Sequence, residues 1–284
     1  MSTTLRRSTI EISDGSIHLI ESGRADAEPI LFLHGWPEDS SAWTGVMEQA
    51  GETHHCIAVD LPGIGGSSLA VPRGDKAYLA TLVHELITRM GLRDVTLVGH
   101  DAGGMVAFAY LKQYQDLRRA VIMNTAIPGI SPWEAVLTNP YVWHFAFHAI
   151  PALPETLVSH DIRAYFDYFY EAITPNPERI TGEARRRYVN SYADPAALTQ
   201  GFELYRTLPQ DAADNTHTTE PIDTPTLYLR GAHEGGTLAD YEHGLRTAGL
   251  TCLSTSVTRD SGHFSPEEQP ELVWQAIAEH LATT

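Results

Sequence analysis

Val98-Gly99-His100-Asp101-Ala102-Gly103-Gly104 is the stretch on which the reading of the fold turns. It joins an apolar run, Val95-Thr96-Leu97-Val98, to a helical pattern that extends from Ala102 to Tyr114. The spacing is G-x-D-x-G. Glycines two positions before and after Asp101 let strand and helix approach closely, so the residue between them sits on a tight, strained turn. Its side chain then projects from the end of the strand, beside a helix N-terminus. A glycine-rich turn can instead cradle a phosphate, but a carboxylate at its centre would repel that ligand.

The pattern on either side of this turn repeats. Pro29-Ile30-Leu31-Phe32-Leu33, Cys56-Ile57-Ala58-Val59, Ala120-Val121-Ile122-Met123 and Thr226-Leu227-Tyr228-Leu229 are further short runs, apolar at successive positions. Such runs suit strands of a parallel sheet covered on both faces. Thr9 to Ile12 and Ile17 to Glu21 alternate around Asp14-Gly15, a hairpin signal. Leu79, Leu82, Val83, Leu86, Ile87 and Met90 recur at helical spacing, and Gly91 follows as a stop. Ser265-Pro266-Glu267-Glu268 opens a last helix, with Ser as cap, Pro next and acids in the first turn. Strand and helix in alternation predict an α/β class, with a mostly parallel, doubly wound sheet. From about Pro128 to Asn215 the rhythm breaks into aromatic-rich helical patterns, as in Ile162 to Ile173 and Glu183 to Tyr192, and the strand pattern resumes only at Pro225. The expected organisation is a core formed by 1–127 and 221–284, with 128–220 as a helical lid.

Composition narrows the classes of function. A hydrophobic content of 43% suffices for a sizeable core, yet no apolar run approaches the roughly 20 residues that cross a bilayer. Met1 to Ser8 is polar and basic, so neither a signal peptide nor an anchor is expected, and the expected location is the cytoplasm. The net charge of −17 argues against nucleic acid and anionic membrane as partners and otherwise favours solubility. Cys56 and Cys252 each fall in a strand-like segment and are expected to be buried free thiols. The 14 histidines show no ligand spacing, so neither a metal nor a cofactor is expected.

With these elements in place, Gly99-His100-Asp101-Ala102-Gly103 resembles the nucleophile elbow of the α/β-hydrolase fold, with Asp where Ser usually stands. The choice of Asp is chemically informative. Attack by Ser on an sp³ carbon would leave an ether, whereas attack by Asp leaves an ester that water can cleave. Asp101 therefore points to displacement at an alkyl carbon: epoxide opening or carbon–halogen cleavage. The resemblance implies an oxyanion hole from the backbone N–H groups of Trp36, in Leu33-His34-Gly35-Trp36-Pro37, and Ala102. It implies that His263, last in the order nucleophile, acid, histidine, is the base that activates water. Glu234, in Gly231-Ala232-His233-Glu234 after a strand, is the expected orienting acid.

His34-Gly35-Trp36-Pro37, Asp60-Leu61-Pro62-Gly63, Gly99-His100-Asp101 and Gly262-His263-Phe264, with the helical insertion between, look like the epoxide hydrolase family over about Pro29 to Leu281. Trp143-His144-Phe145 and Phe202-Glu203-Leu204-Tyr205-Arg206 resemble a bacterial branch whose lid supplies a His and a Tyr to protonate the opening oxygen. Carried over, these are His144 and Tyr205. That branch often places its acid just after the strand that follows the elbow helix, where this chain has Asn124, which favours Glu234. Dehalogenases of the same fold are the competing reading. The alkyl-halide type usually has Trp after the nucleophile, where this chain has Ala102, and the fluoroacetate type has arginines there, which Ala102-Gly103-Gly104-Met105 lacks. A ligand-binding homologue without hydrolysis is the third reading, and the pairing of Asp101 with His263 argues against it. The expected substrate is a small apolar epoxide, with water as co-substrate.

Overall fold

The computed structural model describes residues 4–217 and 220–283; Met1 to Thr3, at the head of the basic N-terminal stretch, lie outside them. Strands β1 (Arg6–Ile12) and β2 (Gly15–Ser22) form the expected hairpin, with Ile12 paired to Gly15. Then follow β3 (Pro29–Leu33), α1 (Thr44–Ala50), β4 (His55–Val59), the two-residue β5 (Ser68–Leu69), α2 (Lys76–Arg89), β6 (Thr96–His100), α3 (Ala102–Gln113) and β7 (Arg119–Met123). Seven helices come next: α4 (Trp133–Leu137), α5 (His144–His148), α6 (Leu153–Val158), α7 (Ile162–Ala172), α8 (Gly182–Ser191), α9 (Pro195–Arg206) and α10 (Leu208–Thr216). The chain closes with β8 (Thr226–Gly231), α11 (Leu238–Thr247), β9 (Leu253–Thr258), α12 (Ser265–Glu268) and α13 (Pro270–Ala282).

The sheet order is β1-β2-β4-β3-β6-β7-β8-β9, with β5 added beside β2. β1 and β2 are antiparallel, and every pair from β4–β3 to β8–β9 is parallel. The continuous apolar runs end up in the middle because helices cover both faces there: β4, β6 and β8 are buried at every residue. One face packs on α1 and α13 through residues such as Phe32, Trp43, Met47, Val98 and Ile277. The other packs on α2 and α3, and this second core runs without a break into the helical insertion through Phe166, Tyr170, Tyr188, Tyr192 and Phe202. The insertion is thus held by the same apolar burial that holds the sheet.

Two local expectations need correction. The last helix is split. Gln269 adopts φ −142° and ψ 59°, which separates the four-residue α12 from α13, because Pro270 disfavours helical backbone in the residue before it. Ser265 does not cap; its hydroxyl donates to Gly262 O at 3.0 Å. Cys56 is a buried free thiol as expected, with burial pushing its pKa up to about 12. Cys252 is free but exposed: it lies in the turn before β9, an edge strand that buries only part of its length.

Candidate active site

The turn after β6 is as tight as the glycine spacing implies. Asp101 has φ 47° and ψ −117°, a backbone conformation that costs a side-chain-bearing residue about 1–3 kcal/mol. Neighbours hold it there. Asp101 N donates to Met123 O at 3.0 Å and Gly103 N to His34 O at 3.1 Å. A Cβ on Gly99 would sit 2.2 Å from Gly103 O, and one on Gly103 would sit 2.5 Å from Leu33 O. Neither position admits a side chain, so Asp101 is driven up from the end of the sheet. Trp36 N donates to its Oδ2 at 2.9 Å, and Ala102 begins α3.

His263 follows β9, and its Nδ1 lies 3.0 Å from Glu234 Oε1. Glu234 stands just beyond β8 and takes a second bond on Oε2 from Arg230 Nε, also at 3.0 Å. Burial alone would raise the Glu234 carboxyl. The hydrogen bond and charge of His263, with Arg230, outweigh it and hold the carboxyl below its usual range. Asn124 keeps a different task. Its Nδ2 donates to Gly262 O at 2.9 Å and to Ser265 Oγ at 3.1 Å, which ties the end of β7 to the loop carrying His263.

Facing Asp101 is a cavity of about 600 Å³, within the usual size of a small-molecule site. Asp101, His263, Glu234, Asn124 and Trp36 line it from the sheet side, and His144, Phe145, Phe169 and Tyr205 from the insertion. Trp36 is the hub of an aromatic cage, with ring centroids 6.0 Å from His144 and 5.6 Å from Tyr205. The His144 and Tyr205 rings are 5.5 Å apart. Burial and the neighbouring His263 push the His144 ring down to about 3, so it is neutral at neutral pH. Burial and the charge of Asp101 push the Tyr205 phenol well above its usual value, so it stays protonated. Six of the seven residues singled out from the sequence thus meet at one cavity, and the seventh, Ala102, directly follows Asp101 at the start of α3.

The pattern of the sequence did not reveal the buried groups beneath these residues. His100, next to Asp101, and Glu38, one residue past Trp36-Pro37, are fully buried and 3.0 Å apart through Nδ1 and Oε2. The other ring nitrogen, Nε2, donates to His263 O at 2.7 Å. Both partners accept, so both nitrogens carry hydrogen and the ring is a cation. Burial would lower its pKa, but the charge and hydrogen bond of Glu38, with Asp101, raise it to about 9. Glu268, read as a first-turn acid, turns back and accepts from Gly262 N at 3.0 Å and Phe264 N at 3.1 Å. The only hint of either was position: an ionisable residue beside a motif that the sequence resemblance singles out.

The profile of the family described as alpha/beta hydrolase fold matches residues 28–270. A soluble epoxide hydrolase from Corynebacterium sp. (strain C12) is 29% identical over 280 residues, covering 96% of each chain. Among solved structures, wild-type Cfl2 from Burkholderia cenocepacia superposes with a TM-score of 0.90 at 28% identity, covering 97% of this chain and 95% of that one. The ligand-free epoxide hydrolase CorEH superposes with a TM-score of 0.89 at 27% identity, covering 98% of this chain and 99% of that one.

Proposed function

This chain belongs to the α/β hydrolase fold family, and from that premise we propose that it hydrolyses an epoxide to a vicinal diol through a covalent ester on Asp101. One arrangement carries the reading: the Asp101 carboxylate shares its cavity with two neutral hydrogen-bond donors, His144 and Tyr205, that come from the opposite wall. The similarity to soluble epoxide hydrolases along nearly the whole chain supports it.

In this scheme residues 128–220 act as a cap over the core. Asp101 Oδ1, the oxygen not held by Trp36 N, attacks an epoxide carbon. The C–O bond breaks and the epoxide oxygen takes a proton from the Tyr205 phenol, with the His144 N–H as second donor. His263, its Nδ1 occupied by Glu234, uses its other ring nitrogen to deprotonate water, which attacks the ester carbonyl. The N–H groups of Trp36 and Ala102 hold the oxyanion. Collapse expels the alkyl oxygen, which takes the proton that His263 gained, and the diol leaves; the Asp101 carboxyl gives its remaining proton to the Tyr205 phenolate and is a carboxylate again. Water and epoxide are consumed and only diol is formed. The scheme uses no metal or cofactor. The apolar walls, Met105, Val136, Phe145 and Phe169, favour an apolar substrate.

A dehalogenase reading has less support. Halide leaves as a stable anion and needs solvation, not a proton. Ala102 follows the nucleophile, and Arg230, the one cation on the cavity wall among the described residues, is committed to Glu234 and Gly235 O. The test is incubation with styrene oxide, aliphatic epoxides and haloacids, scoring diol against halide. Diol from at least one epoxide is expected. Halide release with no diol from any epoxide would replace the reading with dehalogenation.

A further inference from the structure

Lys76, the first residue of α2, belongs to the core yet spends its charge on the cap. Its side chain is 3% exposed and that of its partner Asp211, on α10, 2%. Lys76 Nζ lies 2.8 Å from Asp211 Oδ2, and Lys76 N donates to Asp211 Oδ1 at 2.8 Å. The ammonium also donates to Leu204 O, and to Thr207 Oγ1 at 3.3 Å. Leu204 is in the last turn of α9. There helix carbonyls run out of backbone partners and the helix dipole is negative, so a buried cation is well matched to the place.

Two neighbouring contacts make this a seam rather than a single pair. Arg73 N donates to Gln200 Oε1 at 2.7 Å and Gln200 Nε2 donates back to Arg73 O at 2.9 Å. Between them Gly74 lies so close to α9 that a Cβ there would sit 2.1 Å from Glu203 O. The loop before α2 therefore fixes α9 at Gln200, at Glu203 and at Leu204. Tyr205 is the next residue along.

We infer that Lys76 is a positioning residue for the Tyr205 phenol, holding the last turn of α9 so that the hydroxyl meets the oxygen of the opening epoxide. This rests on the reading of Tyr205 as a proton donor. A charge buried only to stabilise the fold would predict otherwise, because replacing a buried ion pair with apolar groups of similar size is often neutral or stabilising. The seam should matter for the half-reaction that uses Tyr205 and not for the one that uses His263.

The test is the pair replacement Lys76→Met/Asp211→Leu, with Asp211→Asn as a second variant should the first not fold. Alkylation is read by intact mass in a His263→Gln background, and ester hydrolysis by single-turnover decay in the parent. Displacing the donor by a fraction of an ångström to an ångström should slow alkylation roughly 10- to 100-fold while ester hydrolysis stays within about twofold. Lys76→Arg, which keeps a cation and donors, should recover part of the loss. Folded variants that alkylate at the parent rate, or that slow both half-reactions alike, would overturn the inference. Tyr205→Phe serves as the reference. If it leaves alkylation unchanged, the donor reading itself fails. If it slows alkylation and the seam variants do not, only the role of Lys76 fails.

Discussion

In the proposed scheme Tyr205→Phe separates chemistry from packing, because the two rest on different atoms. The ring does the packing. It is 7% exposed and sits in edge contacts with Trp36, His144, Phe145 and His148 at centroid distances of 5.6, 5.5, 5.3 and 4.4 Å. Phenylalanine keeps every one of these. The hydroxyl has no hydrogen-bond partner among the described residues, so its loss orphans nothing, and the stability change should stay at about 1 kcal/mol or less. Loss of a positioned proton donor should instead slow epoxide opening roughly 10²-fold, a barrier increase of about 2.7 kcal/mol. Burial and the Asp101 charge hold the phenol protonated well past its usual range, so the parent alkylation rate should not decline through Tyr205 ionisation up to about pH 10. The assay is quench-flow ester formation with styrene oxide in the His263→Gln background, beside thermal melting. His144→Phe should lose a similar amount, and the double variant should keep its circular dichroism and form almost no diol. Alkylation by Tyr205→Phe within about threefold of the parent would refute the argument, since it leaves less than about 1 kcal/mol for the donor to supply.

His263→Gln should accumulate an enzyme heavier by one substrate mass, because alkylation needs no base and ester hydrolysis does; an unmodified protein after prolonged incubation with a substrate would sink the scheme. Glu234→Gln should slow ester hydrolysis roughly 10²- to 10⁴-fold with little change in ester formation. Equal slowing of both half-reactions, read in single turnovers, would argue against Glu234. The His100–Glu38 pair gives a pH signature. His100 is raised from 6.5 to about 9 in the fold, so its stabilisation, of order a few kcal/mol, is complete below about pH 6.5 and is lost as pH rises through 9. Glu38, Asp101 and His263 are the titratable groups around it. Melting temperature should fall between about pH 8 and 10, and His100→Gln should flatten that slope; a slope that survives the substitution would assign it to another group.

What the sequence made legible follows from which physical signals are periodic. The five central strands read clearly because helices on both faces demand apolar residues at successive positions, and α2, α7 and α8 read clearly because one face of each meets the core. The two-residue β5 left no signal, since its pairing with β2 depends on where the chain happens to pass. Asp101 and His263 were visible because the close approach of β6 and α3 requires glycines at fixed spacing, and a loop at the sheet's end carries the histidine. Charges that end up buried are the opposite case. Glu38 and His100 are 62 positions apart, and Lys76 and Asp211 are 135. In a string of residues a buried Lys and an exposed one look alike, and the prior for both is the surface. Only the fold distinguishes them, because each buried charge is admitted by a partner that is remote in sequence. A charge is costly to bury alone, so each of these pairs marks a place where two distant segments must meet in one geometry. At His100 the segments are the turn of Asp101, the loop of Trp36 and the loop of His263; at Lys76 they are α2 and the helices α9 and α10. Pattern therefore locates the groups proposed to react. The buried ion pairs, which pattern cannot see, locate the joints that keep those groups in register.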